Sequence, residues 1–383
     1  MPWKVINQMD LKNQLIIDYS KEHFSITDLS QKYGISRPTV YKWITRHKKF
    51  GIDGLKEKSR APKSSPHRTP TKILKLVIDE KLKNRKRGPR KIRAQLKRQY
   101  PQLELPAVST ISYWLKKEGL VKNRKRCRHV PPYTQPFCNC EAPNDVWSID
   151  YKGQFYMKNA HICYPLTITD NFSRFILGCK ALAGPRYLPS RRYLELIFRE
   201  YGLPNAIRSD NGNPFAGRCI GGLSRLSVWF IQLGIIPERI EKGCPQENGR
   251  HERMHRTLKS DTLDVTARNL KDLQNKFDVF KHDFNNDRPH ESLNDQTPSE
   301  YYKKSNMLYV ERPHPPEYGY DYRVRQVRLN GKIKFNNRLF FVTELLVGQS
   351  IGLKEIADGL WKIQYYFYTL GCLDLRKNKI ISS

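Results

Sequence analysis

Acidic residues are scarce in this 383-residue sequence: 37 Asp and Glu stand against 69 Lys and Arg, a formal charge of +32. That imbalance excludes a neutral self-contained surface and implies a polyanionic partner, because each neutralised phosphate releases counterions. Long apolar runs are missing too. None approaches the roughly 20 residues that a membrane-spanning helix requires. No leading segment joins a charged start to an apolar run and a small-residue cleavage site. A cytoplasmic, nucleoid-associated protein without membrane contact is therefore expected. A cysteine framework is also lacking: the eight cysteines, at 127, 138, 140, 163, 179, 219, 244 and 372, follow no disulfide-scaffold spacing. Reduced thiols are expected.

What is present is 38% hydrophobic residues in a chain long enough for roughly two to four folded domains. The charge is uneven. Before residue 144 there are 33 Lys and Arg against 11 Asp and Glu, so +22 of the +32 lies there.

The sequence predicts a helix-turn-helix over residues 8–60. In FSITDLSQKYGISRPTVYKWITRHKKF, Ile26, Leu29 and Tyr33 keep helical spacing, Gly34 breaks the helix, and Ser36 opens another that turns Val40, Trp43 and Ile44 inward. Arg37, Thr39, Tyr41, Lys42 and Arg46 would then face outward, a set suited to phosphates and the major groove. A second helix-turn-helix is predicted over 70–122, with Ile73, Leu74, Leu76, Val77 and Leu82 in its first helix and Ile111, Trp114 and Leu115 lining its last. Its run NRKRGPRK reads equally as a DNA contact or a solvated face.

Residues 123–143 form a basic, Pro-rich linker. Cys127, His129, Cys138 and Cys140 are of zinc-binding types, but their spacing matches no common zinc module, so free thiols are expected. From 144 to 304, strand patterns such as DVWSIDYKGQF and NAIRSDNG alternate with helical ones, predicting a mixed sheet flanked by helices. Residues 317–380 alternate short strands with Asn-Gly, Asn-Asn and Asp-Gly turns, which predicts a small, SH3-like β-barrel.

Three acids of the central region stand where catalytic acids are useful. Asp150 ends the strand VWSID, and Asp210 follows AIRS into an Asn-Gly turn. The third must come from GCPQENGRHERMHRTLK. At about 100° per residue, His255, Arg256 and Lys259 lie within about 60° of Glu252, with Met254 and Leu258 on the opposite side. Glu252 thus heads a polar, cationic stripe, whereas Glu247 sits at the helix entrance, where an acid answers the macrodipole. Two strand-end aspartates and a helical glutamate suit phosphoryl transfer by two Mg²⁺ ions, held through a few carboxylates and substrate phosphates.

Other candidates read as structural. Asp170 belongs to a turn; Asp261, Asp264 and Asp283 read as solvated helix acids; Arg288 and His290 could brace the active-site helix; and Thr297 opens a short helix. Cys244 with His251 or His255 lacks the placed base that thiol catalysis needs.

The stretches VWSIDYKGQF, IRSDNGNPF and PQENGRHERMHRTLK resemble the Asp, Asp and Glu motifs of integrase-type transposases, the insertion-sequence enzymes whose core is similar to retroviral integrase. The order of modules also resembles one such group. The resemblance implies a multidomain α+β protein with two N-terminal helix-turn-helix modules, an RNase H-like core and a small C-terminal β-barrel. It implies that Asp150, Asp210 and Glu252 are the metal-binding catalytic acids, with Mg²⁺ or Mn²⁺ as cofactor, and that Arg256 and Lys259 face DNA. Between Asp210 and Glu252 lie 41 residues, more than in the retroviral enzymes. The expected activity is DNA transposition by a homo-oligomer bridging two terminal inverted repeats. The alternatives are a DNA-binding regulator with an inactive core and a metal-dependent nuclease without strand transfer.

Overall fold

In the computed structural model the described residues are 7–57, 69–121, 140–158, 161–217, 219–240, 249–262 and 267–382. Cys127, His129, Cys138, Cys244, Glu247 and Asp264, with most of the 123–143 linker, lie outside them. The five described cysteines are free thiols. The chain divides into two compact units, 1–69 and 70–383.

The first unit holds α1 (Gln8–Ser20), α2 (Ile26–Tyr33) and α3 (Arg37–Phe50). Ser25 and Asp28 close a capping box at the start of α2, and Gly34 ends it at φ +61°, a left-handed turn that suits glycine. Ser36 stands at the N-cap of α3 but bonds the Thr39 hydroxyl rather than a backbone N–H. Leu15, Leu29, Val40, Trp43, Ile44 and Leu55 form the core.

The second unit begins with α4 (Thr71–Lys83), α5 (Pro89–Gln99) and α6 (Val108–Lys117), which close on Val77, Ile92, Leu96, Ile111 and Leu115. Leu82, predicted in this helix and found there, is exposed. The basic run is divided in its fate. Arg87 is buried between Glu80 (3.8 Å) and Asp283 (2.6 Å), and Arg90 reaches Glu291 and Asp295. These cations tie the helical module to residues 283–295. Asp283 is therefore an ion-pair partner, not a free solvated acid.

The central sheet comprises β1 (Val146–Tyr151), β2 (Phe155–Tyr156), β3 (Ile162–Asp170), β4 (Ile176–Leu182), β5 (Ala206–Ser209) and β6 (Ile236–Arg239). β3 pairs antiparallel with β1, β2 and β4, while β1, β5 and β6 run parallel in adjacent positions. Two-residue alternation divides β1 and β3 between the sheet's faces. Trp147, Ile149, Leu166 and Ile168 pack on α7 (Tyr187–Tyr201) and α8 (Arg225–Gln232). Ser148, Asp150, Thr167 and Thr169 occupy the alternate positions, on the face covered by α9 (Gly249–Thr262) and α10 (Leu270–His282). Met254 and Leu258 anchor α9 there beside Phe155, Cys163, Ile176 and Phe277. The result is a three-layer, mixed α/β core. The short α11 (Pro298–Tyr301) follows, with Thr297 at its N-cap position.

The C-terminal region corrects one expectation. Strands β7 (Arg323–Gln326), β8 (Lys332–Phe335), β9 (Arg338–Phe341), β10 (Ser350–Ala357), β11 (Leu360–Tyr365), β12 (Tyr368–Asp374) and β13 (Lys379–Ser382) form two open sheets, β13-β12-β11-β10-β7 and the β8-β9 hairpin, not a closed barrel. The hairpin meets the larger sheet by its face: Phe335 lies 4.8 Å from Trp361, ring to ring, and Ile333 and Phe340 join the same core. Burying that apolar face sets the hairpin over the sheet rather than in line with its edge strands. α8 contributes Val228 and Ile231 to this core, which attaches the C-terminal sheets to the central domain.

Candidate active site and nucleic-acid interface

Asp150 and Asp210 stand at the carboxyl ends of neighbouring parallel strands. In the β1–β5 register Ile149 lies opposite Ser209, so the two acids follow as the next positions of each strand. Asp210 is held by the Gly212 N–H, which donates to its Oδ1 at 3.1 Å. Burial raises its pKa. Glu252 lies on the exposed face of α9 with Arg256 and Lys259. Burial pushes the Asp150 carboxyl up to about 7, and the charges of Asp210 and Glu252 add to that, against the Tyr151 backbone N–H and Lys152. Three carboxylates therefore share one electrostatic field.

His255 departs from the stripe expected for it. At 300° from Glu252 it lies on the buried edge of α9 with His251, not on the solvent face. Its Nδ1 is 3.6 Å from Asp150 Oδ2, and the two imidazoles stand 4.5 Å apart at 82°. Thr167 Oγ1 is 2.7 Å from His251 Nε2, 2.6 Å from His255 Nε2 and 3.1 Å from the Asp150 carbonyl, while Thr169 Oγ1 is 2.8 Å from His251 Nδ1. One hydroxyl carries one hydrogen, so at least one Nε2–H must donate to Thr167. Burial pushes His251 down to about 3 and lowers His255 as well, leaving both rings neutral. The histidine–threonine clasp thus pins α9 to β3 without adding charge.

Asp150, His251 and His255 each offer a ligand atom within 4.8 Å of the others, a possible metal group. Most of the imidazole nitrogens are engaged with threonines. The carboxylate oxygens, with Lys152 drawing on the Asp150 charge, are the donors suited to Mg²⁺ or Mn²⁺. The residues present fit a hard divalent ion. The sequence carries a signal for the clasp: histidines at i and i+4 in RHERMH, and the alternating threonines of PLTITD.

The neighbouring candidates are structural. Asp170 is buried and accepts from the Asn144 N–H and from the Ser173 N–H and hydroxyl. Asp261, expected in solvent, pairs with Arg288 at 2.9 Å, which braces the end of α9. On α3, Arg37, Tyr41 and Lys42 are exposed, whereas Thr39 and Arg46 are half-buried, with the Arg46 guanidinium 5.2 Å from the Trp43 ring centroid.

Family models described as integrase core domain match residues 141–245 and 233–298; a helix-turn-helix domain matches 14–63, and a homeodomain-like domain 39–115. The chain carries an integrase core behind helix-turn-helix domains. It is 28% identical over 188 residues to the insertion element IS407 uncharacterized 31.7 kDa protein of Burkholderia multivorans, covering 49% of this chain and 65% of that protein. It is 25% identical over 260 residues to the IS476 uncharacterized 39.2 kDa protein of Xanthomonas euvesicatoria, covering 67% and 66%. The chain thus spans about two thirds of the length of these relatives. The core region is also 32% identical over 124 residues to the Gag-Pol polyprotein of baboon endogenous virus, covering 32% of this chain and 7% of that one. Among solved structures, the HTLV-2 integrase catalytic core in complex with magnesium matches at 14% identity and TM-score 0.34, over 43% of this chain and all of that one. A simian T-cell lymphotropic virus intasome matches at 14% and 0.37, over 69% and 90%. The helix-turn-helix domains and the integrase core indicate DNA as partner. No helix among the described residues is long and apolar enough to cross a membrane.

Proposed function

We propose that the protein is a DNA transposase in which Asp150, Asp210 and Glu252 hold divalent metal, free 3′-hydroxyl ends and join them to target DNA. The observation that supports this most is the placing of Asp150 and Asp210 at the ends of the paired strands β1 and β5, with the charge of Glu252 on α9 also acting on Asp150. A divalent ion bound there would lower the pKa of the attacking water or 3′-hydroxyl and stabilise the leaving oxygen. The protein's own part is to aim the acids. β1 and β5 set two of them side by side, and the His251–Thr169 and His255–Thr167 bonds hold the helix that bears the third.

Arg37, Thr39, Tyr41, Lys42 and Arg46 would contact terminal-repeat DNA, and Arg256 and Lys259 the strand beside Glu252. Residues 8–60 and 70–122 act as the recognition modules, 144–304 as the catalytic domain, and the 317–380 region as an accessory β module. Joining two ends requires at least two active sites, so a homo-oligomer on DNA at the nucleoid follows.

The test incubates the full chain with Mg²⁺ and labelled terminal-repeat duplex. Nicking at the repeat end and joined products are expected, falling at least about 10³-fold in Asp150→Asn, Asp210→Asn and Glu252→Gln, and absent in EDTA. Binding without cleavage by the unaltered chain would point to a regulator, and cleavage without joining to a nuclease.

A further inference from the structure

A cavity of about 380 Å³ opens where α5, the β3–β4 turn, α9 and the segment after α10 meet. Lys91, Asn171, Arg174, Arg250, Arg253 and His290 line it. Its two acids are engaged elsewhere: Asp170 accepts the three bonds described above, and Glu291 pairs with Arg90. Arg174 and Arg250 both donate to the Asn171 carbonyl. Among the described residues, none of Lys91, Arg174, Arg250 and Arg253 forms an ion pair with a carboxylate. Burial, with the charges of Arg288 and Arg87, pushes Lys91 down to about 8 against the weaker pull of Asp261 and Asp283, and burial with Arg250 and Arg253 pushes Arg174 down to about 10 against Asp170.

Two buried polar atoms on the wall also lack protein partners. Asn171 is 3% exposed, and its Oδ1 accepts from the Ser148 hydroxyl, which assigns the unpartnered atom as the Nδ2 donor. His290 Nε2 is the other. Lys91 and Arg174, both half-buried and in no ion pair, with the exposed Arg250 and Arg253 at the rim and an orphaned buried amide donor beside them, make an environment that an anion would complete.

We propose that this cavity binds a phosphate oxyanion, and that the oxyanion is a backbone phosphate of the DNA on which the carboxylate site acts. The second part rests on the transposase reading. Arg253 follows Glu252 directly on α9, so a phosphate held here lies on the helix that carries the third acid. Lys91 belongs to α5, so the same phosphate would bridge the second helical module to the catalytic helix. Thr169, also on the cavity wall, bonds His251.

DNA binding by the full chain is measured by anisotropy across a salt series, without divalent metal so that cleavage plays no part. Lys91→Ala/Arg253→Ala should lower the log–log salt slope by about one to two phosphate contacts, and the exposed Arg253→Glu by at least about one; Lys91→Arg should restore most of the loss. In parallel, inorganic phosphate replaces chloride at constant ionic strength, without DNA, and the thermal midpoint is read. A reduced slope in variants whose midpoints match the unaltered chain establishes the DNA phosphate. A phosphate-induced rise in midpoint seen only in the unaltered chain, with slopes unchanged, keeps the oxyanion site and overturns the DNA source. No change in either measurement overturns the proposal. No Mg²⁺-dependent cleavage by the unaltered chain, with the slope effect intact, would count against the transposase reading and not against this site.

Discussion

At Gly212, a Cβ would come within 2.8 Å of Asp210 Oδ2, a side-chain atom that can give way at the cost of its bond to the Gly212 N–H. Gly212→Ala should therefore leave the fold intact and turn the Asp210 carboxylate away. Metal-dependent cleavage is expected to fall on the order of 10²-fold with an unchanged circular dichroism spectrum; unaltered activity would show that Asp210 does no work at this geometry. The buried imidazoles set a pH dependence. Burial pushes His251 and His290 down to about 3, so between about pH 6.5 and 3 the unfolded chain binds protons at these rings that the folded chain does not. Stability present at neutral pH is lost as the pH falls, by up to about 1.4 kcal/mol per pH unit for each ring. Asp150 runs the other way: raised to about 7, it retains a proton on folding between about pH 4 and 7 and offsets one ring's share. Urea midpoints in EDTA should thus fall below pH 6.5, more shallowly in His290→Gln, and a parallel pH profile for that variant would contradict the assignment. At this scale the sequence separated Glu252 from Met254 and Leu258 by helical phase alone. It misplaced His255, because an angle of 60° from a solvent-facing residue is also the edge of the buried face, and only the opposing Thr167 decides between them.

At the scale of elements, the connection between α4 and α5 shows how a basic stretch divides between solvent and structure. Arg87 is 3% exposed and bridges Glu80 of α4 to Asp283 beyond α10. Removing it leaves a buried acid unpaired, so Arg87→Ala should destabilise the protein by about 3 kcal/mol or more. Amide exchange should rise across α4 and α5 and at the α10 C-terminus together. Protection lost in α4 and α5 alone would mean that the pairing to Asp283 carries no energy. Charge periodicity foresaw a cationic helix. It did not foresee which cations face acids, since Asp283 and Asp295 lie some 200 residues along the chain. The C-terminal strands teach the same lesson. Their turns and alternation were legible, whereas whether the sheet closes depends on how Phe335 packs on Trp361, a contact between strands with no local signal.

For the whole molecule, the +22 before residue 144 suggests a large phosphate footprint, yet Arg87, Arg90 and Arg98 are paired to core acids. The counterion-release slope for DNA binding should accordingly be smaller than the count of basic residues in the helical modules would give. The loss of affinity should still reach about 10³-fold between 50 and 200 mM salt. Sedimentation with and without terminal-repeat duplex should show two or more chains assembled on the DNA; a single chain per duplex under conditions of strand joining would contradict the bridging assembly.

The sequence by itself determined the period-2 strands, the capped helices, the strand-end positions of Asp150 and Asp210 and the solvent phase of Glu252, because each depends on residues a few positions apart. Tertiary structure decided what those residues do to one another. Only the folded sheet sets β1 beside β5, lifts the Asp150 carboxyl to about 7, clasps α9 through Thr167 and Thr169, and gathers Lys91, Arg174 and Arg253 around one cavity. Burial and Coulomb coupling act through space, and no local pattern in a chain records how far apart its distant segments will come to rest.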